Sequence, residues 1–238
     1  GALTYGSAGL DDDAGPVHRP GWCMVVPAPQ AEAERLRTEH RVDAFLDMVG
    51  SQVGIPMQAY AREHGIAALQ VGSASSTLTN EHCSPVGVHW AYDTHALAAG
   101  STSAMIARGA ETFYFLTVDY SFGHVLEADA RQAIERNGGT VLGSTIHPFR
   151  ATDFATPLLE AMASGADVIA FANAGDDLIN SIREASELGI LGSDTAVVAL
   201  LAADDNVQNL GLYTDQGMIY TSGYYWAYDQ QSREFAER

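Results

Sequence analysis

Lysine is absent from this chain of 238 residues, which carries only 12 basic residues, all arginine, and two cysteines. Each shortage removes a class of function. Against 30 acidic residues the formal charge is −18, a field that repels phosphate backbones and argues against nucleic-acid binding. Cys23 and Cys83 are too few for a disulfide framework, and no CxxC or His/Cys cluster points to a metal. Cys23 lies in the apolar run 22–26 and reads as a small buried hydrophobe; both cysteines are expected to be free. No apolar run approaches the roughly 20 residues needed to span a bilayer. Residues 1–9 also lack the basic region and apolar stretch of a signal peptide. The acidic surplus has two readings. One is an ordinary solvated surface; the other is a salt-rich habitat, where counterions screen repulsion within about 3 Å at 1 M salt.

Catalytic signatures are missing as well. His18, His40, His64, His82, His89, His95, His124 and His147 are scattered, with no HExxH or close ligand spacing, so surface or loop roles are expected for them. Gly72-Ser73-Ala74-Ser75-Ser76 is not a GxSxG nucleophile elbow. Gly6 and Gly9 follow the first apolar run without a GxGxxG or GKS/T pattern. Asp11-Asp12-Asp13 lacks further ligands at calcium-loop spacing and reads as a solvated loop. An enzyme of the α/β type remains a remote alternative, since no nucleophile and base are visible together. No cofactor is called for.

The remaining composition, 47% hydrophobic and 18% charged, is that of a globular α/β protein. Short apolar runs alternate with amphipathic stretches, the rhythm of parallel β-α units. Strands are expected at 2–5, 22–26, 42–49, 67–71 and 88–92, with helices at 30–40 and 51–64. The second half continues with helix 94–108, strand 112–118, helix 121–137, strand 140–147, helix 153–164, strand 167–172, helix 176–188 and strand 195–201. Asn137-Gly138-Gly139 and Leu188-Gly189 read as helix stops. Thr152-Asp153 and Gly175-Asp176 read as N-caps. Two α/β halves result, with a break near Tyr92–Asp93.

Hydroxyls and aromatics collect at the carboxyl ends of the expected strands. Ser51 opens a helix after strand 42–49; Gly72–Thr79 follow strand 67–71. Asp119-Tyr120-Ser121-Phe122-Gly123 follow strand 112–118, and Asn173-Ala174-Gly175-Asp176 follow strand 167–172. Ligands of open parallel sheets sit outside these ends, where helix N-termini offer free N–H groups suited to a carboxylate. Ser51 and Ser75 also fit the simpler role of helix or turn caps.

At these loops the sequence resembles the type I periplasmic solute-binding proteins of ABC importers, the branched-chain amino acid and amide binding family. The resemblance rests on Gly72 to Thr79, Cys83-Ser84-Pro85, His89-Trp90-Ala91-Tyr92-Asp93-Thr94, Phe115 to Gly123, Thr152-Asp153-Phe154, Ser164 to Ile169, Ala172-Asn173-Ala174-Gly175 and Gly223-Tyr224-Tyr225-Trp226. Together these cover about 41–238. It implies two Rossmann-like lobes with parallel sheets, joined by crossover strands and closing like a flytrap. Lobe one would hold 1–92 plus 223–238, and lobe two 93–222. Compared with the family, the first helix is missing between the first strand and Trp22, and the C-terminus looks truncated.

The function implied is that of an extracytoplasmic or periplasmic solute-binding component, not an enzyme. It would be monomeric, would deliver a small organic acid, amide or amino acid to an ABC permease, and would be lipid-anchored in some versions. A ligand-sensing regulatory or receptor domain of the same fold is the alternative. The resemblance places the ligand among Ser51, Ser73, Ala74, Ser75, Trp90, Tyr92, Tyr120, Phe122, Asn173 and Ala174. Ala174 stands where amino-acid binders carry an ammonium-binding tyrosine, with Asp204 or Asp205 near the acidic position. The expected ligand is therefore an organic acid or amide, aromatic ones included, rather than leucine or valine.

Overall fold

The computed structural model describes residues 3–4, 29–211 and 217–238. The chain divides into two compact units, Gly1–Thr94 and His95–Arg238. The expected strand at 22–26, Cys23 and the Asp11–Asp13 run lie outside the described residues.

In the first unit, a four-stranded parallel sheet has the order β1 (Leu3–Thr4), β2 (Ala44–Leu46), β3 (Ala67–Gln70), β4 (Gly87–His89). Helices α1 (Pro29–Glu39) and α2 (Ser51–His64) carry apolar faces that meet it. Ala33 and Leu36 from α1 join Val53, Met57, Tyr60 and Ala61 from α2 around Phe45, Met48 and Ala68. β2 is shorter than the expected 42–49 because Asp47 adopts a left-handed φ of 56°, which turns the chain out of the strand region. α2 ends at Gly65, also left-handed, whose N–H bonds the Ala61 carbonyl. Arg62 and His64 in its last turn complement the negative end of the helix dipole.

The second unit is built on a five-stranded parallel sheet in the order β6, β5, β7, β8, β9. These strands are β5 (Thr112–Val118), β6 (Thr140–His147), β7 (Val168–Ala172), β8 (Ala196–Ala199) and β9 (Ile219–Tyr220). β7 reads Val-Ile-Ala-Phe-Ala and is buried along its whole length, as a central parallel strand covered on both faces must be. Around the sheet run α3 (Thr94–Ala107), α4 (Ser121–Arg136), α5 (Ala155–Ala163), α6 (Gly175–Glu187) and α7 (Asp204–Leu210), with α8 (Gln230–Ala236) near the end. Leu178, Ile179, Ile182 and Ala185 of α6 recur at helical spacing and bury with Phe154, Leu158, Ile169 and Phe171. The starts of β5 and β7 are tied by Asp167. Its Oδ2 accepts from the N–H groups of Glu111 and Thr112 at 2.9 and 2.8 Å, and its own N–H donates to Thr112 Oγ1 at 2.9 Å.

The N-caps differ from the expected ones. α5 and α6 are capped at Phe154 and Ala174, neither through a side chain. Asp153 instead accepts from the Ala155 N–H at 2.9 Å. Four elements were not expected: a 3₁₀ turn at Ser76–Thr79, α7, α8 and the two-residue β9. Residues 223–238 group with the second unit. Among the described residues no helix is long and apolar enough to cross a membrane.

Candidate functional site

In the first unit, the loops after β2 and β3 are locked to each other by hydroxyls. Ser73 Oγ lies 2.5 Å from the Met48 carbonyl and 3.0 Å from that of Gly50. One hydroxyl hydrogen serves both, so Ser73 keeps only acceptor capacity. Ser51, the first residue of α2, accepts the Ser75 N–H at 3.1 Å. Ser75 in turn accepts from the Thr77 N–H at 3.3 Å and shares a 2.8 Å bond with the Thr77 hydroxyl, so it caps the 3₁₀ turn. The Ser76 N–H reaches Thr94 Oγ1 at 3.0 Å, and the Thr94 N–H reaches the Ala74 carbonyl at 2.7 Å. His89 Nε2 is 2.8 Å from the Ser73 carbonyl, which fixes a proton on that nitrogen.

The close fit depends on Gly54. A Cβ there would lie 2.1 Å from Ser73 Oγ and 2.7 Å from Ser73 Cβ. Ser51, Ser73, Ala74 and Ser75 are all buried, so the structure brings these four expected residues together. Trp90, beyond β4, is 78% exposed and Tyr92 is exposed too.

The second unit offers a site of another kind. Its strand order reverses between β5 and β7, since β6 lies on one side of β5 and β7 on the other. Crevices for ligands form outside the carboxyl ends of strands at such switch points. Tyr120 stands at the end of β5, Asn173 at the end of β7 and His147 at the end of β6. Tyr120 stacks on Phe122 with ring centres 6.0 Å apart and meets Phe149 edge-on at 5.4 Å. Phe122 is buried beneath it, while Tyr120 and Ala174 are half-buried. Gly123 lets α4 start this close to β5: a Cβ there would sit 2.2 Å from the Val118 carbonyl oxygen.

Asn173 is fully buried. Its Nδ2 lies 3.2 Å from His147 Nε2 and 3.3 Å from Ser181 Oγ, and Ser181 donates onward to the Leu178 carbonyl at 3.0 Å. His147 Nδ1 lies 2.9 Å from the Pro148 carbonyl. A carbonyl only accepts, so Nδ1 carries the ring proton and Nε2 is the acceptor for Asn173. Asp177, on α6, is 3% exposed; its Oδ2 accepts the Arg150 N–H at 3.0 Å. Two oxygens of this group, Asn173 Oδ1 and Asp177 Oδ1, are buried without a hydrogen-bond partner among the described residues.

Burial shifts the titration of the whole group. It pushes the Asp177 carboxyl up, against the Arg150 N–H that holds it down. His147 is pulled down by burial, against the Pro148 carbonyl and the Asp177 charge. The Tyr120 phenol is raised, by burial first and then by Asp177.

His147, Asp177 and Ser181 were not among the expected site residues, and His147 was expected at the surface. It is 1% exposed, because it closes β6 beside Asn173 with its ring edge-on to Phe154 at 4.9 Å. Asp204 and Asp205 open α7 with no partner role at this cluster. Cys83 is free and exposed, and no group of three or more potential metal ligands occurs among the described residues.

No curated protein matches the chain. A family model described as "Periplasmic binding protein" matches residues 27–238. Among solved structures, a periplasmic binding protein from Burkholderia mallei is 40% identical with a TM-score of 0.83, covering 88% of this chain and 56% of that one. A branched chain amino acid ABC transporter periplasmic ligand-binding protein from Burkholderia xenovorans is 26% identical, TM-score 0.74, covering 87% and 56%. A solute-binding protein of an ABC transporter from R. palustris, solved in complex with 4-hydroxybenzoate, shares the fold at 19% identity and TM-score 0.80, covering 88% and 57%. The chain therefore spans a little over half the length of these relatives. With a model match over nearly all the described residues and a 40% identical relative, the chain belongs to the periplasmic binding protein family.

Proposed function

We propose that the protein of which this chain is part is the extracytoplasmic solute-binding component of an ABC importer. It takes up a small organic acid, amide or amino acid and delivers it, without turnover, to an ABC permease. The observation that carries this reading is the switch-point cluster of the second unit. There buried polar side chains with unpartnered oxygens adjoin the aromatic surface of Tyr120 and Phe149, and no activated nucleophile accompanies them. That is a place to hold a molecule rather than to break one. The ligand residues that go with it are Ser51, Ser73, Ala74, Ser75, Trp90 and Tyr92 in lobe one, and Tyr120, Phe122, Asn173 and Ala174 in lobe two. Ser73 would act through its backbone or as an acceptor, given where its hydrogen goes. The lobe boundaries proposed with it are 1–92 plus 223–238, and 93–222. The protein works as a monomer in the periplasm or elsewhere outside the cytoplasmic membrane, either free or lipid-anchored.

Aromatic acids are the favoured ligands. Ala174 leaves room where a tyrosine would otherwise stand, Tyr120 offers a ring face, and a relative of the same fold holds 4-hydroxybenzoate. Calorimetry against amino acids, aromatic acids and short amides tests the reading. Micromolar or tighter binding of at least one aromatic acid is expected. Submicromolar binding of leucine with no response to any des-amino acid would overturn the choice of ligand. Conversion of a bound acid into a product would overturn the transport reading itself.

A further inference from the structure

We infer that Asn173 is the specificity-determining residue of the second unit's site: it presents its side-chain carbonyl to the ligand, and His147 holds it in that orientation. The site thus selects ligands bearing a hydrogen-bond donor, a hydroxyl or N–H group, and reverses its preference when His147 takes up a second proton. The inference rests on the solute-binding reading above.

A chain of bonds starting at Pro148 sets the orientation of Asn173. Its carbonyl fixes the His147 proton on Nδ1 at 2.9 Å, leaving Nε2 a lone pair. Only the Asn173 amide nitrogen can satisfy that lone pair, and it lies 3.2 Å away. The same nitrogen spends its other hydrogen on Ser181 Oγ at 3.3 Å, whose own hydrogen goes to Leu178. Oδ1 therefore points the other way and has no partner among the described residues, though Asn173 is fully buried. A buried acceptor left unmatched is unfavourable by about 1–3 kcal/mol, and native proteins match such groups with water or a ligand. Asn173 is the last residue before the Ala174–Gly175 turn at the switch point, the place where a ligand donor arrives. Asp177 Oδ1, buried and equally unmatched, adds a second acceptor and none of the donors a ligand carboxylate would need.

Protonation inverts the arrangement. Doubly protonated His147 keeps Nδ1–H on Pro148 and turns an Nε2–H towards the Asn173 NH₂, donor against donor. Rotating the amide by half a turn restores the bond through Oδ1 and places NH₂ where the acceptor stood. The charged and titratable groups around His147 are few. Asp177 acts on it from α6 and also raises Tyr120 in the turn after β5, Asp176 acts on Asp177, Arg150 lies in the loop after β6, and Glu184 of α6 accepts the N–H of Phe154, whose ring meets the imidazole.

Two measurements on the intact chain test this. Nitrogen NMR of the His147 ring and the Asn173 side-chain amide needs no ligand. It should show the Nδ1–H tautomer at pH 8 and a change in the Asn173 NH₂ signals that follows the His147 titration. An Nε2–H tautomer, or NH₂ signals that ignore that titration, would overturn the orientation. The second is calorimetry with matched probes, 4-hydroxybenzoate against benzoate and leucine against 4-methylpentanoate. The donor-bearing member should bind at least tenfold tighter at pH 8. Asn173→Leu should erase the difference, Asn173→Asp should retain it, and His147→Gln should shrink it and remove its pH dependence. Equal affinities within both pairs would overturn the donor preference while leaving solute binding intact. If no probe binds, the choice of ligand class above is at fault, and the tautomer still decides the orientation of Asn173.

Discussion

The buried hydroxyls of the first unit and the buried amide and carboxylate of the second are used differently, although among the described residues the first unit also keeps an open acceptor, Gln70 Oε1 beside Ser73. In the first, hydroxyls are consumed internally: Ser73 bonds two carbonyls of the preceding loop, Ser51 takes the Ser75 N–H, and Ser75 caps its own turn. In the second, Asn173 and Asp177 are as deeply buried, yet each keeps an oxygen with no protein partner described. A closed network fixes loop shape and tolerates no loss; an open one holds capacity in reserve for something that binds. Hydroxyls after the strands of the first unit thus fix loop shape, while the amide and carboxylate of the second keep acceptor capacity.

The largest effect should come from the two helix-start glycines, which differ in what they touch. Gly123→Ala drives a Cβ against the Val118 backbone carbonyl at 2.2 Å, where no rotamer can relieve it. A loss of about 3 kcal/mol is expected, the upper end of overpacking costs. Gly54→Ala meets Ser73 instead and should cost less, closer to 2 kcal/mol. Urea unfolding of both variants ranks them, and the reverse order would mean that the Ser73 loop is the stiffer of the two.

Next in size is the contrast between networks. Ser73→Ala strands the Met48 carbonyl in the interior, at about 1–3 kcal/mol, while that of Gly50 keeps the Val53 and Gly54 N–H groups. Asn173→Leu removes an unmatched oxygen but strands the buried lone pair of His147 Nε2, so it should cost about 1 kcal/mol, the low end of that range. If Asn173→Leu destabilises as much as Ser73→Ala, both networks are architectural and the comparison collapses.

The smallest effect concerns acid. His147 has its folded pKa below the ordinary value of about 6.5, so the unfolded chain binds the extra proton more readily. Its contribution to stability is complete above pH 6.5 and is lost as pH falls from there towards the folded value, by at most about 1.4 kcal/mol per pH unit. Asp177, shifted upward, works in the opposite sense: its ionisation lowers stability as pH rises from the ordinary carboxylate range to its folded value. Between pH 7.5 and 5.5, His147→Gln should lose less stability than the parent in denaturation titrations. Parallel losses in the two proteins would place the acid sensitivity elsewhere.

Much of this architecture is legible from periodicity. Strands Thr112–Val118 and Thr140–His147 and helix Ser51–His64 fall where the apolar pattern puts them. The unforeseen elements are those in which pattern carries little. α7 has two apolar residues among Asp204–Leu210, and β9 is two residues long. Site residues follow the same rule. Asn173 was legible because it ends a strand. His147 ends one as well, but its significance depends on the sheet order β6, β5, β7, which brings two strand ends 26 residues apart into hydrogen-bond reach. Local sequence does not encode that neighbourhood. Asp177 was legible only as a helix-start acid, since nothing in Gly175-Asp176-Asp177 shows which carboxylate faces inward.

The Asp167 clip has a consequence for how the protein folds. It joins β5 to β7 across 55 residues, and β5 is the strand on which both β6 and β7 assemble. In the first unit β2, β3 and β4 are neighbours in both sequence and sheet, so each can dock on the strand before it. In the second, β5 pairs with β6 and keeps one edge open until β7, which follows a further helix, joins it. An apolar strand edge left open in this way is a surface on which unfolded chains pair and aggregate, so the order in which strands dock sets when this unit is safe from association.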